Sequence, residues 1–198
     1  MTKSGEDSHA HQARVRPSRP RIEPALESEL TDEQRAILNE RAKAGRLVNI
    51  HYTVVRHPNL ARDWLAFAGH VSRRNTLEPR EREILILRIG WLCASEYEWA
   101  QHVRIGKREG LTDENIRQIA AGPECAEASP GDRLLMQAAD ELHRDACVSE
   151  TTWNALAATH SEHQMMDLVF TVGEYNLVSM ALNCFGVQLD EGLEGFPK

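Results

Sequence analysis

The sequence has no two cysteines close enough to act together. Cys93, Cys125, Cys147 and Cys184 form neither a CxxC nor a metal-ligand pair; this excludes a local dithiol and is the pattern of reduced thiols in packed positions. Strand signals are as scarce, because no stretch alternates apolar and polar residues between hairpin turn residues, and a sheet-based fold is excluded. No leader segment is visible at the polar N-terminus. The run ILILRIGWLC is short and broken by Arg88, so no membrane attachment is expected. Positive charge is not in excess either: the net charge is −7, spread along the chain, which argues against a nucleic-acid partner. A cytoplasmic protein acting on a small molecule is expected.

What is present is helical. The 198 residues, 41% hydrophobic, suffice for one domain with a real core. Residues 1–22 differ in kind, with Arg14, Arg16, Arg19 and Arg21 among prolines and little apolar content. They read as a flexible arm that lies on a neighbouring subunit, ahead of a single helical domain over 23–198. Thr31 with Gln34 and Ser161 with Gln164 have the spacing of capping boxes. Pro58 and Pro79 stand where helices start, and Ser149 reads as a further N-cap. The stretch EPREREILILRIGWL is apolar nearly all round, the mark of a buried helix. A final helix, also mostly apolar, ends near Gly186, and Met165 and Met166 within it read as core. The fold class expected is all-α. A weak internal echo joins RIGWLCASEYEW to FTVGEYNLVSM, each placing glycine shortly before a Glu-Tyr or Tyr-Glu pair.

Chemistry concentrates around CASEYEWAQH. Glu98 and His102 are four apart and share a helix face with Ser95. Glu83, on the preceding buried helix, is a carboxylate that needs a partner there. Burial raises a carboxylate pKa and histidine titrates near neutrality, so the three can hold and pass a proton. A second reading is equally open. Ser95-x-x-Glu98 is also a capping box, with His102 an ordinary packed polar residue beneath Tyr97 or Trp99.

The stretch LEPREREILILRIGWLCASEYEWAQHVRIGKREGLTDENI, continued through the final helix, resembles the carboxymuconolactone decarboxylase family, which also contains alkylhydroperoxidase D. The resemblance spans most of residues 45–190. In alkylhydroperoxidase D a glutamate, eleven residues, Cys-x-x-Cys, three residues and a histidine follow in order. Here that frame falls on Glu83, Ser95, Glu98 and His102, so both thiol positions are occupied by other residues. Thiol-dependent reduction needs a thiolate and a resolving partner, and Cys93 is out of register. It reads as a packed residue.

The resemblance implies an alkylhydroperoxidase D-like helical bundle, assembled as a homotrimer or homohexamer. It also implies a cofactor-free lyase or isomerase acting on a lactone, keto acid or other enolisable carbonyl compound. In that scheme His102 is the main acid/base, Glu83 orients it and Glu98 is a second proton carrier. His70 is a further catalytic candidate, because a similar glycine-histidine pair occurs in relatives. Tyr97, Trp99, Ser95 and Arg88 are the expected substrate contacts, with core packing the competing role for Trp99 and pairing to glutamates the competing role for Arg82 and Arg88. His160 and His163 have helix spacing for metal ligands, but no third ligand is evident and no metal is expected. Two other functions remain in view: a thiol-dependent hydroperoxidase using Cys93, and a non-catalytic oligomer that binds a small ligand.

Overall fold

A computed structural model of the chain describes residues 16–197. Most of the expected arm, residues 1–15, lies outside the described residues. Residues 16–22 lie against the chain's own final helix: the Arg21 amide donates to the Phe185 carbonyl at 2.8 Å, and Arg16 donates to the carbonyls of Cys93 and Ala94.

Among the described residues nine α-helices follow: α1 (Asp32–Ala42), α2 (Asn49–Val54), α3 (Pro58–Gly69), α4 (Pro79–Leu92), α5 (Glu96–Arg108), α6 (Asp113–Ala121), α7 (Pro130–Asp145), α8 (Glu150–Ala157) and α9 (Glu162–Phe185). A short 3-10 turn precedes α1, and a π-helical turn, His70–Arg74, prolongs α3. No strand occurs among the described residues. The starts are set by local chemistry. Thr31 and Ser161 each form the reciprocal box with the glutamine three residues on, and Pro58 and Pro79 occupy first turns, where a missing amide hydrogen costs nothing. At the end of α9, Gly186 has φ +67°, and a side chain there would lie 2.8 Å from the Arg19 carbonyl. Only glycine fits that cap without displacing the N-terminal segment.

The main core forms around α4. Ile84, Leu85, Ile86, Leu87 and Ile89 are fully buried on every side of it, against α5, α6, α7 and α9. A second, smaller cluster holds α1 to α3 together through Ile37, Leu38, Val55 and Ala61. Ile50, Tyr97, Val178 and Leu182 join the two. Helix α9 is long and apolar enough to cross a membrane by length and composition, yet Met165, Leu168 and Val172 bury one face of it in the main core. Its opposite face is exposed, and Met166, expected inside, is 54% exposed. The helix is apolar on both faces, so composition alone misplaces that residue.

Candidate active site

The buried helix α4 brings Glu83 beneath α5, where its carboxylate meets His102. Glu83 Oε2 lies 2.7 Å from His102 Nδ1, and Glu98 Oε1 lies 3.0 Å from His102 Nε2. Both ring nitrogens of one histidine are therefore held by carboxylates. Burial alone would push the His102 pKa down, but the charges of Glu83 and Glu98 outweigh it and raise the pKa to about 10. At neutral pH the ring is an imidazolium between two carboxylates, its edge against the face of Tyr175, with 4.9 Å between the ring centroids. Glu83 shares its second oxygen with Arg82 Nε at 3.5 Å.

The three residues border a cavity of about 740 Å³. Its other walls come from α1, α2, α3 and α9, with Trp64 on α3 and Glu174 and Tyr175 on α9, while Tyr97 and Gln101 join from α5. Glu174 accepts a hydrogen bond from the Trp64 indole at 2.8 Å. Burial first, and then the charge of Glu98, raise the Glu174 pKa above its ordinary value, although the Trp64 bond opposes them. Tyr175 is kept a neutral phenol by burial and by the charges of Glu98 and Glu83. Among the carboxyl groups that line the cavity, Glu98 and Glu174 thus lie in unlike surroundings, with a charged imidazole beside Glu98.

Residues 58–141 match the model of the carboxymuconolactone decarboxylase family. Over that segment the chain is similar to the carboxymuconolactone decarboxylase family. Solved structures agree in fold. A peroxidase-related protein with an alkylhydroperoxidase AhpD core from Ralstonia eutropha JMP134 is 20% identical, with a TM-score of 0.73 over 86% of this chain and 92% of that one. A peroxidase-related protein from Silicibacter sp. TM1040 gives 0.72 at 13% identity, over 88% and 95% of the two chains. The debrominase Bmp8 in complex with 2,3,4-tribromopyrrole gives 0.72 at 11% identity, over 88% and 94%. A comparison with curated protein sequences returns no match.

Within the matched segment the expected site residues separate. Glu83, Glu98 and His102 meet as the spacing suggests, and Tyr97 also borders the cavity. The Tyr97 hydroxyl, however, donates to Asp190 at 2.6 Å and accepts from the Ile50 amide at 3.3 Å. It pins the C-terminal segment and α2 to α5. The other four expected contacts lie elsewhere. His70 pairs with Asp167 at 2.8 Å, and the same carboxylate accepts from Thr76, so this histidine anchors the turn before α4. Trp99 packs in the core against Trp91 and Phe196. The Arg88 guanidinium turns away, to Asp140 and to the carbonyls of Ile119 and Ala120. Ser95 is fully buried, and its hydroxyl has no partner among the described residues.

That last observation decides between the two readings of Ser95-x-x-Glu98. Ser95 stands at the N-cap of α5 without a side-chain cap bond, and the reciprocal half of the box is also absent, because the Ser95 amide donates to the Gly90 carbonyl at 2.9 Å and the Glu98 side chain turns to His102. A cap would make Ser95→Ala cost about 0.5–2 kcal/mol. The buried, unbonded hydroxyl predicts the opposite: Ser95→Ala leaves stability unchanged or raises it by up to about 1 kcal/mol in denaturant unfolding. Cys93 is buried, as expected, with its sulfur 3.0 Å from Asn176 Oδ1. Among the described residues no cluster suited to a metal ion occurs; His160 Nε2 lies 3.5 Å from Glu81.

Helix spacing did not point to Trp64, Glu174, Tyr175, Arg41 or His51. One signal was available for Glu174 and Tyr175, the Gly-Glu-Tyr echo of the α4–α5 stretch, which places a second acid–tyrosine pair on the same cavity. The raised His102 pKa also has a consequence for stability. A histidine whose folded pKa lies above its unfolded value adds stability that is complete below about pH 6.5 and fades as pH rises through the folded pKa of about 10. The stability gap between the chain and its His102→Gln variant is therefore expected to narrow from pH 7 to pH 10.5 in urea titrations.

Proposed function

We propose that the chain is an acid–base enzyme, a lyase or isomerase that works on an enolisable carbonyl compound through Glu83, His102 and Glu98. The supporting observation is the geometry of His102, both of whose ring nitrogens are engaged by carboxylates at the wall of a cavity. Such a set moves a proton without releasing it to solvent. Glu83, 1% exposed, orients the ring. Glu98 exchanges the proton between His102 and the substrate carbon. Glu174, whose pKa is raised by its surroundings, donates a hydrogen bond to the carbonyl oxygen as negative charge gathers there.

In a decarboxylation the bond from the α-carbon to the carboxylate breaks and its electron pair forms the enolate. Carbon dioxide leaves, and the enolate carbon takes a proton from the Glu98–His102 pair, which solvent then restores. In an isomerisation the same pair removes a proton from one carbon and returns it to another. Neither route draws on a cofactor or metal. A thiol route has less support, because Cys93 lies outside the cavity and is bonded to Asn176.

The test is incubation of the purified protein in deuterium oxide with γ-carboxymuconolactone and a panel of lactones and keto acids. Turnover is followed by ultraviolet absorbance and α-hydrogen exchange by NMR. Turnover or exchange that His102→Ala loses supports the reading; neither process across the panel overturns it.

A further inference from the structure

The cavity lining is rich in arginine. Arg41, Arg46, Arg73, Arg104 and Arg108 all line it, and none of the five has a carboxylate partner among the described residues; Arg82 pairs with Glu83. In a chain of net charge −7 this is an unusual collection of unpaired cations. Arg41 and Arg73 lie close enough that the charge of Arg73, after burial, depresses the Arg41 pKa. Two guanidinium groups side by side without an anion are unfavourable unless a ligand supplies one.

The hydrogen bonding of His51 points the same way. The Val48 amide donates to His51 Nδ1 at 3.0 Å, the local pairing of a helix start. Arg41 Nε lies 3.0 Å from His51 Nε2. Burial and the charge of Arg41 hold His51 neutral at pH 7, and a neutral imidazole has a single acceptor nitrogen. The Val48 amide and Arg41 Nε each aim a donor at this ring, so one of the two N–H groups is left without an acceptor. An anionic oxygen beside Arg41 at the cavity wall supplies the acceptor that the ring lacks.

We propose that Arg41, His51 and Arg73 form a subsite for a carboxylate that the substrate carries away from its reacting carbon. Arg41 and His51 come from α1 and α2, ahead of the matched segment 58–141, and Arg73 from the turn after α3 within it, so two of the three residues belong to this chain's own N-terminal helices. The proposal deepens the acid–base reading, and it rests on that reading for the identity of the ligand as substrate. Isothermal titration with succinate, beside inorganic phosphate, tests it. Succinate is expected to bind, and Arg41→Gln and Arg73→Gln are each expected to weaken it about tenfold or more. Glu98→Gln, which removes the proton carrier, is expected to bind succinate at least as tightly as the unaltered chain.

No succinate binding, or binding that ignores both arginine substitutions, overturns the subsite. Phosphate that displaces succinate at lower concentration assigns the cations to a phosphoryl group and overturns the carboxylate. Arginine-dependent succinate binding without any turnover leaves the subsite standing and removes only the acid–base reading.

An independent observation concerns α9. Its exposed residues between positions 166 and 184 are Met166, Phe170, Gly173, Leu177, Met180 and Cys184. They recur at intervals of four and three, carry no charge, and run about 27 Å at 1.5 Å per residue. This is the seam spacing of paired helices. The stripe also matches itself when reversed. About a two-fold axis near residue 175, Met166 faces Cys184, Phe170 faces Met180, and Leu177 faces Gly173, whose missing side chain leaves open space.

We infer that two copies of the chain pair through antiparallel α9 helices, an isologous contact. Sedimentation velocity is expected to show a dimer or a multiple of it, which Leu177→Glu dissociates. In the M166C variant, oxidation is expected to link Cys184 of one copy to the introduced thiol of the other, a bond the unaltered chain does not form. A monomer at all concentrations, an assembly indifferent to Leu177→Glu, or crosslinking through Cys184 without M166C overturns the antiparallel pair. A monomer that binds phosphatidylcholine vesicles through the stripe overturns it as well.

Discussion

Replacing His102 with alanine is expected to lower turnover about 10²–10⁴-fold, the usual contribution of a positioned acid–base group. The same change is expected to cost about 3–5 kcal/mol of stability, because it removes the cation between two buried carboxylates. The side chains of Glu83 and Glu98 are 2% and 6% exposed, so water cannot replace the lost partner. The two effects have different origins and can be separated. Adding Glu83→Gln and Glu98→Gln to His102→Ala removes the uncompensated charge and is expected to recover much of the stability, while turnover stays low. Chemical unfolding and the decarboxylation or exchange assay, run on the unaltered chain, His102→Ala and the triple variant, read both quantities. Recovery of turnover together with stability would show that His102 acts only as a structural cation.

Arg88→Ala is expected to show the reverse pattern, a loss of about 3 kcal/mol in unfolding free energy with the Michaelis constant unchanged for folded protein. The guanidinium makes two bonds to Asp140, of 2.6 and 2.8 Å, and two to the carbonyls of Ile119 and Ala120, of 3.0 and 3.1 Å. Its removal leaves a carboxylate and the end of α6 without donors, although Asp140 is 20% exposed and water recovers part of the cost. Gly122, at φ +94°, lies against the same guanidinium, and a side chain there would come within 2.7 Å of it. Gly122→Ala is disfavoured both by the backbone angle and by this contact. A higher Michaelis constant for Arg88→Ala, with stability intact, would return the residue to the substrate pocket.

These two residues show where sequence reading succeeds and where it fails. Spacing along one helix is a local quantity. It puts Glu98 one turn before His102, and a buried glutamate on α4 needs a partner, so the meeting of Glu83, His102 and Glu98 was legible before any coordinate. Arg88 has the same local credentials as a pocket residue. Its direction is set by α4 being surrounded, and α7 happens to supply Asp140 on the side away from the cavity. His70 was misplaced for a similar reason, since Asp167 on α9 claims it. The box at Ser95 lacks its reciprocal bond because Gly90 takes the Ser95 amide and the imidazolium of His102 takes the Glu98 side chain.

The sequence by itself determined the helical class, most helix starts and stops, the burial of α4, the absence of a local dithiol and the pairing of Glu98 with His102. Each depends on residues within a few turns of one another, where backbone geometry alone sets the distance. Tertiary structure decided which charges face the cavity. Arg41, His51, Trp64 and Glu174 come from α1, α2, α3 and α9, and no periodicity relates positions so far apart. It also decided that α9 shows an apolar stripe to solvent, because a helix apolar all round does not reveal which face the core will take.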